Sequence, residues 1–280
     1  MAQEKGTLYL VGTPIGNLAD ISRRAIETLG AVQLVACEDT RHTRILLDRV
    51  GVSTRVTSLP AFDEKRRAAG LVDRLVAGEN VALVTDAGMP GISDPGSEVV
   101  RLAVEAGVRV VPIPGASAPL AALAASGLPT ERFTFFGFLP RKGGTRKEAL
   151  EELRASTGTL LLFESPRRLG ETLLDLREAL GDRRACVARE LTKLHEELVR
   201  GTLSELAEHF SGEVLGEITL VIEGAPRAAP STEADVDGLL RGRLAAGASV
   251  KDASREVAEA LGLAKKDVYR RALELASEER

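Results

Sequence analysis

The sequence predicts an α/β fold with a largely parallel sheet in its first half. Short apolar runs alternate with longer amphipathic segments, a pattern typical of parallel strands joined by crossover helices. The five strand candidates are 7–12, 32–37, 55–59, 80–85 and 108–113. The helices expected between them are 20–30, opened by Asp20 as N-cap and closed by Gly30, then 41–50, 63–77 and 97–106. Together they predict an N-terminal α/β domain over residues 1–116.

The second half repeats the pattern less regularly, which favours a mixed sheet in a second α/β domain over 117–226. Its strand candidates are 159–165, 185–190, 196–201 and 217–224, with helices near 167–180 and 202–210. The run "APRAAPST" at 225–232 is typical of a linker.

The last segment, 233–280, is predicted to be helical throughout. Two amphipathic stretches hinged at Gly262 have the spacing of a helix-turn-helix. Residues 231–280 carry nine basic and ten acidic side chains, which does not favour DNA binding. A small helical bundle and an interaction module both fit this segment.

Composition excludes several classes of protein. The net charge of −4 gives no overall attraction to nucleic acid, so RNA contacts would need local basic patches. Cys37 and Cys186 lie in apolar runs outside any CxxC pair, which indicates buried thiols in a reducing compartment. With three scattered histidines we expect no metal site. No apolar run reaches 18 residues, so we expect a cytoplasmic protein without a membrane span.

Three loops rich in Gly and Pro follow predicted strands: "VGTPIGN" (11–17), "TDAGMPGISDPG" (85–96) and "PIPGASA" (112–118). Each alone fits an ordinary connector. At one edge of one parallel sheet, they predict a ligand held by backbone groups, because Gly permits close approach and Pro stiffens a loop. The P-loop and GxGxxG patterns are absent, and none of the three loops contains Lys or Arg. The ligand is therefore expected to lack multiple phosphates.

The segment "ACEDTRHTR" (36–44) places five ionisable side chains directly after a strand: Glu38, Asp39, Arg41, His42 and Arg44. They fit a solvated helix start with Asp39 or Thr40 as N-cap. They equally fit one side of a substrate site, where ionisable groups gather.

A basic segment, "FLPRKGGTRKE", follows the aromatic run "FTFFGF" and contains Arg141, Lys142, Arg146 and Lys147. On a flexible loop these cations would suit a polyanion, or they would only keep the surface soluble. Two further segments, "FESPRR" (163–168) and "ARELTKLHEE" (188–197), carry charges of both signs that could pair with each other.

Seven of these segments, in order from about residue 6 to 224, resemble the tetrapyrrole methylase superfamily. They are "VGTPIGNLADIS", "CEDTRHTR", "DAGMPGISDPG", "PIPGASA", "SGLPTERFTFFGFLPRK", "FESPRRL" and "RELTKLHEE". The branch they resemble most contains bacterial enzymes that methylate the 2′-oxygen of a cytidine in small-subunit (16S) ribosomal RNA, and the tail is similar to their helical appendage. Met89 and Gly12 depart from the pattern, which has Thr at the first position and in some members Pro at the second.

The resemblance implies two α/β domains with S-adenosylmethionine (SAM) in the cleft between them, usually in a homodimer. SAM carries a sulfonium and an amino acid head but no phosphate, which agrees with loops that lack Lys and Arg. By resemblance the cofactor-binding residues are Gly12, Pro14, Asp86, Ala87, Gly88, Met89, Pro90, Ile92 and Ser117, with Phe163 and Ala225 on the adenosine side.

The implied reaction is attack of a ribose oxygen on the sulfonium methyl, for which a general base is expected. The candidate bases are Asp39, Glu38 and Glu190. The residues expected to bind RNA are Arg41, His42, Arg141, Lys142, Arg146, Lys147 and Lys193. Two alternatives stay open: a C-methylase of tetrapyrrole precursors, against which the basic segment and the helical tail argue, and a SAM- or RNA-binding module without turnover.

Overall fold

The first sheet is five-stranded and entirely parallel in the computed structural model, which describes residues 4–226, 233–261 and 263–278. Its strands are β1 (Thr7–Val11), β2 (Leu34–Cys37), β3 (Val56–Ser58), β4 (Val81–Val84) and β5 (Arg109–Ile113). The order is β3-β2-β4-β1-β5. All five strands predicted from the sequence are confirmed, and the order places the ends of β4, β1 and β5 side by side.

Four helices cover the two faces of this sheet. They are α1 (Arg23–Ala31), α2 (Thr40–Arg49), α3 (Glu64–Val76) and α4 (Ser97–Glu105). Apolar side chains of α3 and α4 share one buried cluster with the sheet, and those of α1 and α2 share another. Burial of these apolar side chains stabilises the packing of the helices on the sheet by about 25 cal/mol for each Å² of apolar surface removed from water.

The predicted start and end of α1 are wrong. Ser22 is the N-cap, with its Oγ accepting a hydrogen bond from the N–H of Ala25 at 3.1 Å. Asp20 belongs to a short 3₁₀ turn before it, and Gly30 lies inside the helix. A serine hydroxyl satisfies a free amide of the first turn as well as a carboxylate does, so the nearer residue caps.

The second sheet is mixed, as predicted. Its strands are β6 (Phe133–Phe138), β7 (Thr159–Glu164), β8 (Arg184–Arg189), β9 (Glu197–Thr202) and β10 (Ile218–Ile222). The order is β6-β7-β10-β8-β9, and only the β6–β7 pair is parallel. Strand β6 was not predicted from "FTFFGF". Because β10 runs antiparallel to β7, its first residue lies beside the last residue of β7.

Helix α5 (Ala118–Ser126) covers one face of this sheet. Helices α6 (Gly144–Ala155), α7 (Leu169–Leu180) and α8 (Leu203–His209) cover the other. The sequence predicted α7 and α8 but neither α5 nor α6. The Ala-rich α5 has no polar face to mark its period, and Gly143 and Gly144 at the start of α6 resembled a loop.

Arg146 was expected to bind RNA, and the structure contradicts this. Its side chain is 9% exposed and makes an ion pair with Asp175 of α7 at 2.7 Å. It also donates to the carbonyl of Pro140 at 2.9 Å and to the hydroxyl of Thr172 at 3.1 Å. Arg146 therefore ties α6 to α7, and its guanidinium is not available to a phosphate.

Residues 226 to 280 form a second compact unit, separate from Met1–Ala225. Its helices are α9 (Glu233–Ala245), α10 (Val250–Leu261) and α11 (Lys265–Glu278), packed around Leu240, Val257 and Leu275. The predicted hinge at Gly262 and most of the predicted linker lie outside the described residues. The domain boundary at residue 116 stays a prediction. Among the described residues, no helix is both long enough and apolar enough to cross a membrane.

Replacing Arg146 with Ala is expected to lower the free energy of unfolding by about 3 kcal/mol. The change removes a buried guanidinium together with its hydrogen bonds to the Pro140 carbonyl and the partly exposed Asp175 carboxylate, and leaves these acceptors without their donor. Urea unfolding followed by circular dichroism measures the effect. The control is Lys147→Ala, one position along the same helix and exposed, which should stay within about 0.5 kcal/mol of wild type. Equal stability of the two variants would contradict the structural role of Arg146.

Candidate active site

The three predicted loops meet at the carboxyl edge of the first sheet. They follow β1, β4 and β5, which are neighbours in the strand order. Thr13 and Gly88 exchange backbone hydrogen bonds at 2.9 and 3.2 Å, and the N–H of Gly12 donates to the carbonyl of Ile113 at 3.0 Å. The Thr13 hydroxyl also reaches the carbonyl of Thr85 at 3.1 Å. The loops are thus joined mainly through main-chain atoms.

Glycine is required where the first and third loops touch. A Cβ added to Gly12 would lie 2.7 Å from the Cα of Gly115 and from the sulfur of Met89. A Cβ on Gly115 would in turn lie 2.7 Å from the carbonyl carbon of Gly12. Gly88 in the second loop has a φ of +81°, a conformation that side chains with a Cβ rarely adopt. Larger residues at these positions would separate the loops.

A cavity of about 480 Å³ opens between this edge and the second sheet. Its volume is within the range of small-molecule sites. Six residues predicted to bind the cofactor line it: Ala87, Gly88, Met89, Ile92, Ser117 and Phe163. Four others, Gly12, Pro14, Asp86 and Pro90, belong to the same loops but are not in the lining. No Lys or Arg is among the described residues that line the cavity.

Ala225 is contradicted as a cofactor-binding residue. It follows the carboxyl end of β10, and its N–H donates to the carbonyl of Ser156 at 2.7 Å. The cavity is lined by the opposite end of that strand, Gly216 to Thr219. Because β10 runs antiparallel to β7, Ala225 lies beyond the end of β10 that points away from the cavity.

The lining residues that were not predicted come mostly from the second sheet and the far end of the second loop, with Ile15 from the first loop and two residues from the start of α5. The missed residues are Ile15, Ser93, Asp94, Ala118, Pro119, Phe138, Glu164, Ser165, Pro166 and Gly216–Thr219. The segment "FESPRR" was singled out for its charges, yet it is the part before the arginines that lines the cavity. Residues 216–219 were missed because they lie at the start of a strand, whereas the predicted site used the loops that follow strands.

A cluster of acidic side chains lies beside the cavity, at the ends of β2 and β4. Glu38 and Asp94 are half-buried. Burial and the neighbouring charges of Asp94 and Asp86 raise the pKa of Glu38. Burial also raises the pKa of Asp94, and Asp86 adds to the effect, while the nearby hydroxyl of Thr85 lowers both values. Asp86 contacts the Nδ1 of His42 at 3.1 Å. Asp94 joins the cluster to the cavity, because it also lines the cavity wall.

Asp39, next to Glu38, is held by Arg41. It is the N-cap of α2 and accepts the N–H of Arg41 at 2.8 Å, and its carboxylate also binds the Arg41 guanidinium at 2.6 Å. These hydrogen bonds hold the pKa of Asp39 well below its usual range. The carboxylate therefore stays charged and engaged, which makes it a weak proton acceptor.

Glu190 and Lys193 bind each other next to Glu217, which lines the cavity. The ammonium of Lys193 lies 2.8 Å from Glu190 and 3.1 Å from Glu217. The hydrogen bond from Lys193 and one from the N–H of Glu217 lower the pKa of Glu190. Partial burial opposes the charge of Lys193, but the two carboxylates outweigh it and raise its pKa. Glu190 is therefore not free to act as the predicted base, and Lys193 is not free to contact a phosphate as predicted.

The other residues predicted to bind RNA are exposed. The side chain of Arg41 is 86% exposed, although it is paired with Asp39, and that of His42 is 66% exposed. Arg141, Lys142 and Lys147 are exposed on the segment that follows β6, whose last residue lines the cavity. Arg and Lys side chains therefore lie exposed on segments next to the cavity, and the described residues of its wall include none.

The comparisons with known proteins agree with this geometry. Residues 7–207 match the model of the tetrapyrrole (corrin/porphyrin) methylases, and residues 230–276 match that of the RsmI C-terminal HTH domain. A protein of Mesorhizobium japonicum named ribosomal RNA small subunit methyltransferase I is 50% identical, over 96% of this chain and 92% of its own length. The protein of that name from Escherichia coli O157:H7 is 43% identical, over 96% of each chain.

Solved structures show the same fold at lower identity. A diphthine synthase superposes with a TM-score of 0.62 at 22% identity, over 78% of this chain and 94% of that one. A uroporphyrin-III C-methyltransferase of Thermus thermophilus, crystallised with S-adenosylhomocysteine, superposes with a TM-score of 0.57 at 21% identity. The match covers 77% of this chain and 97% of that one. With a family model that matches most of its length and relatives at up to 50% identity, the chain belongs to the tetrapyrrole methylase family.

Proposed function

We propose that this protein methylates the 2′-oxygen of a cytidine ribose in 16S ribosomal RNA of the small subunit, with SAM as the methyl donor. The observation that carries the proposal is identity of 41–50%, over almost the whole chain, to proteins named ribosomal RNA small subunit methyltransferase I. The cytidine and the 2′-oxygen follow from the family resemblance. By the same resemblance we infer a cytoplasmic homodimer that acts on the small ribosomal subunit.

The cavity fits SAM in its charge and in its walls. SAM supplies a methyl group on a positively charged sulfur and carries no phosphate, and the described lining contains carboxylates but no Lys or Arg. Backbone groups of the loop around Gly88 and the side chains of Met89 and Ser117 would hold the cofactor, with Phe163 on the side of the second sheet. Met89 offers a thioether where family members offer a hydroxyl.

Glu38 is the general base that the geometry favours among the three candidates. Asp39 is occupied by Arg41 and by the cap of α2, and Glu190 is occupied by Lys193. Glu38 has no ion pair among the described residues, and its raised pKa brings it closer to neutrality, where a base is most effective. It would accept the proton of a ribose hydroxyl placed between itself and the cavity wall at Asp94.

The exposed Arg, Lys and His side chains are the proposed contacts to the RNA backbone. Arg141, Lys142 and Lys147 surround the start of α6, and Arg41 and His42 lie beside Glu38. Each such contact adds to affinity and is screened by salt.

One assay separates the candidate functions. The protein is incubated with SAM labelled in the methyl group and with small ribosomal subunits, naked 16S ribosomal RNA or a tetrapyrrole precursor. We expect label in RNA, on a nucleoside that resists alkaline hydrolysis on its 3′ side because the 2′-oxygen is blocked. Label only in the tetrapyrrole would contradict the proposal, and cofactor binding without transfer to any of the three would indicate a binding module.

The Glu38→Gln variant should lose about 10²–10⁴-fold in kcat, because the amide cannot accept the ribose proton. Asp39→Asn should lose less than about tenfold, because Asn caps a helix as well as Asp does. Calorimetry should give both variants a SAM affinity within a few-fold of wild type. Wild-type turnover by Glu38→Gln would remove Glu38 from the mechanism.

The Asp94→Asn variant should move the acidic limb of the pH–rate profile to lower pH. Asp94 is one of the charges that raise the pKa of Glu38, so removing its charge lets Glu38 lose its proton at lower pH. The profile of kcat/KM is measured with RNA substrate, and Asp48→Asn, an exposed carboxylate at the other end of α2, is the control. An unmoved limb, or one moved to higher pH, would show that Glu38 does not set it.

A further inference from the structure

The ring of Phe138 lies at the rim of the cavity and is 58% exposed, although it is a large apolar side chain. Its centroid is 5.4 Å from that of Phe163, with the two planes tilted by 50°. Phe163 in turn meets Phe135 edge to face at 5.0 Å. Phe138 is therefore supported from one side by an aromatic cluster and open to solvent on the other.

A β-bulge puts Phe138 on this face of the sheet. The pairing of β6 with β7 shifts register between Phe135 and Gly137, so that Phe135 lies opposite Leu161 and Phe138 opposite Phe163. Side chains two apart on β7 share a face, so Phe138 points to the same side as Phe135. In a regular strand, residues three apart would point to opposite sides. The bulge directs the ring towards the cavity, a use of bulges that is common beside active sites.

Gly137 makes the bulge possible and fixes where it occurs. Its φ is +67°, and it is buried, with the position of an added Cβ 3.1 Å from the hydroxyl of Ser93 in the second loop. A side chain here would strain the backbone and press on the loop that lines the cavity. The orientation of Phe138 is therefore coupled to the packing of the cavity wall.

Exposed cations lie on the chain segments next to the exposed ring. Arg141 and Lys142 follow Phe138 by three and four residues, and Arg167 follows Pro166 of the cavity wall. All three are exposed, and within the described parts of the chain no carboxylate forms an ion pair with them. An aromatic face between cations is the arrangement by which proteins hold unpaired nucleotides: the base stacks on the ring and the phosphates meet the cations.

We propose that Phe138 stacks on an unpaired base of the RNA substrate at the target nucleotide and so positions its ribose at the cavity mouth. The inference rests on the proposed function and adds a positioning residue to it. Because every base offers a π-face, the stack places the nucleotide without selecting cytidine. The RNA segment must then be single-stranded where it is methylated.

The test compares Phe138→Ala, Phe138→Leu and Phe138→Trp with the control Phe133→Ala. Phe133 begins the same strand, is 44% exposed and does not line the cavity. Stacking contributes about 1–3 kcal/mol per base, so Ala and Leu at 138 should each lower kcat/KM for RNA about 5- to 150-fold. Phe138→Trp and Phe133→Ala should keep kcat/KM for RNA within about threefold of wild type. SAM affinity, measured by calorimetry, should be unchanged in all four variants.

A second substrate tests the stacked partner directly. An RNA with an abasic target nucleotide should slow the wild-type protein as much as Phe138→Ala does, and the two changes together should cost no more than either alone. Wild-type kcat/KM in Phe138→Leu would show that only apolar bulk matters and overturn the stacking. A parallel fall in SAM affinity would overturn it too, by assigning the ring to the cofactor. If the wild-type protein methylates no RNA, the proposed function itself fails, and that result is separate from the variant comparison.

Discussion

The site depends on the direct backbone contact between loops at the edge of the first sheet. Gly12 and Gly115 touch without side chains between them, and Thr13 and Gly88 pair as in a sheet. These contacts exist because β4, β1 and β5 are adjacent, so that the three loops leave the sheet within reach of each other. A wall made from main-chain groups can hold a ligand closely without cations. The shape of this wall is thus a consequence of how the loops pack.

The carboxylates near the site differ in behaviour because their neighbours differ. Glu38 and Asp39 are consecutive, yet Asp39 binds Arg41 while Glu38 is partly buried and lies beside the carboxylates of Asp94 and Asp86. The first arrangement stabilises the charged form and the second disfavours it. Glu190 resembles Asp39 in this respect, because Lys193 neutralises it. Motif membership alone could not separate these three acids, because the carboxylates beside Glu38 come from a loop that is distant in sequence.

Much of the fold could be predicted from the sequence, because its strands are short apolar runs bounded by turn residues. The predictions failed where a local pattern was hidden or misleading. Helix α5 is buried and rich in Ala, so it shows no polar face, and the glycines before α6 resembled a flexible loop. Arg146 was assigned to RNA by composition, whereas its partner Asp175 lies 29 residues away in sequence. Long-range pairing of this kind is invisible in one sequence.

The second sheet supplies the other wall through a change of strand direction that sequence periodicity does not reveal. Glu164 ends β7 and Ile218 begins β10, and the two lie in register. Of the cavity's carboxylates, Glu164 is buried and bound by Thr172 and Arg168, and Glu217 is bound by Lys193. Asp94 has no cation partner among the described residues. The attraction of the cavity for a positive ligand is therefore concentrated at Asp94, where the wall meets the cluster that contains Glu38. Binding of a cationic donor and deprotonation of the acceptor would then depend on the same small group of acids.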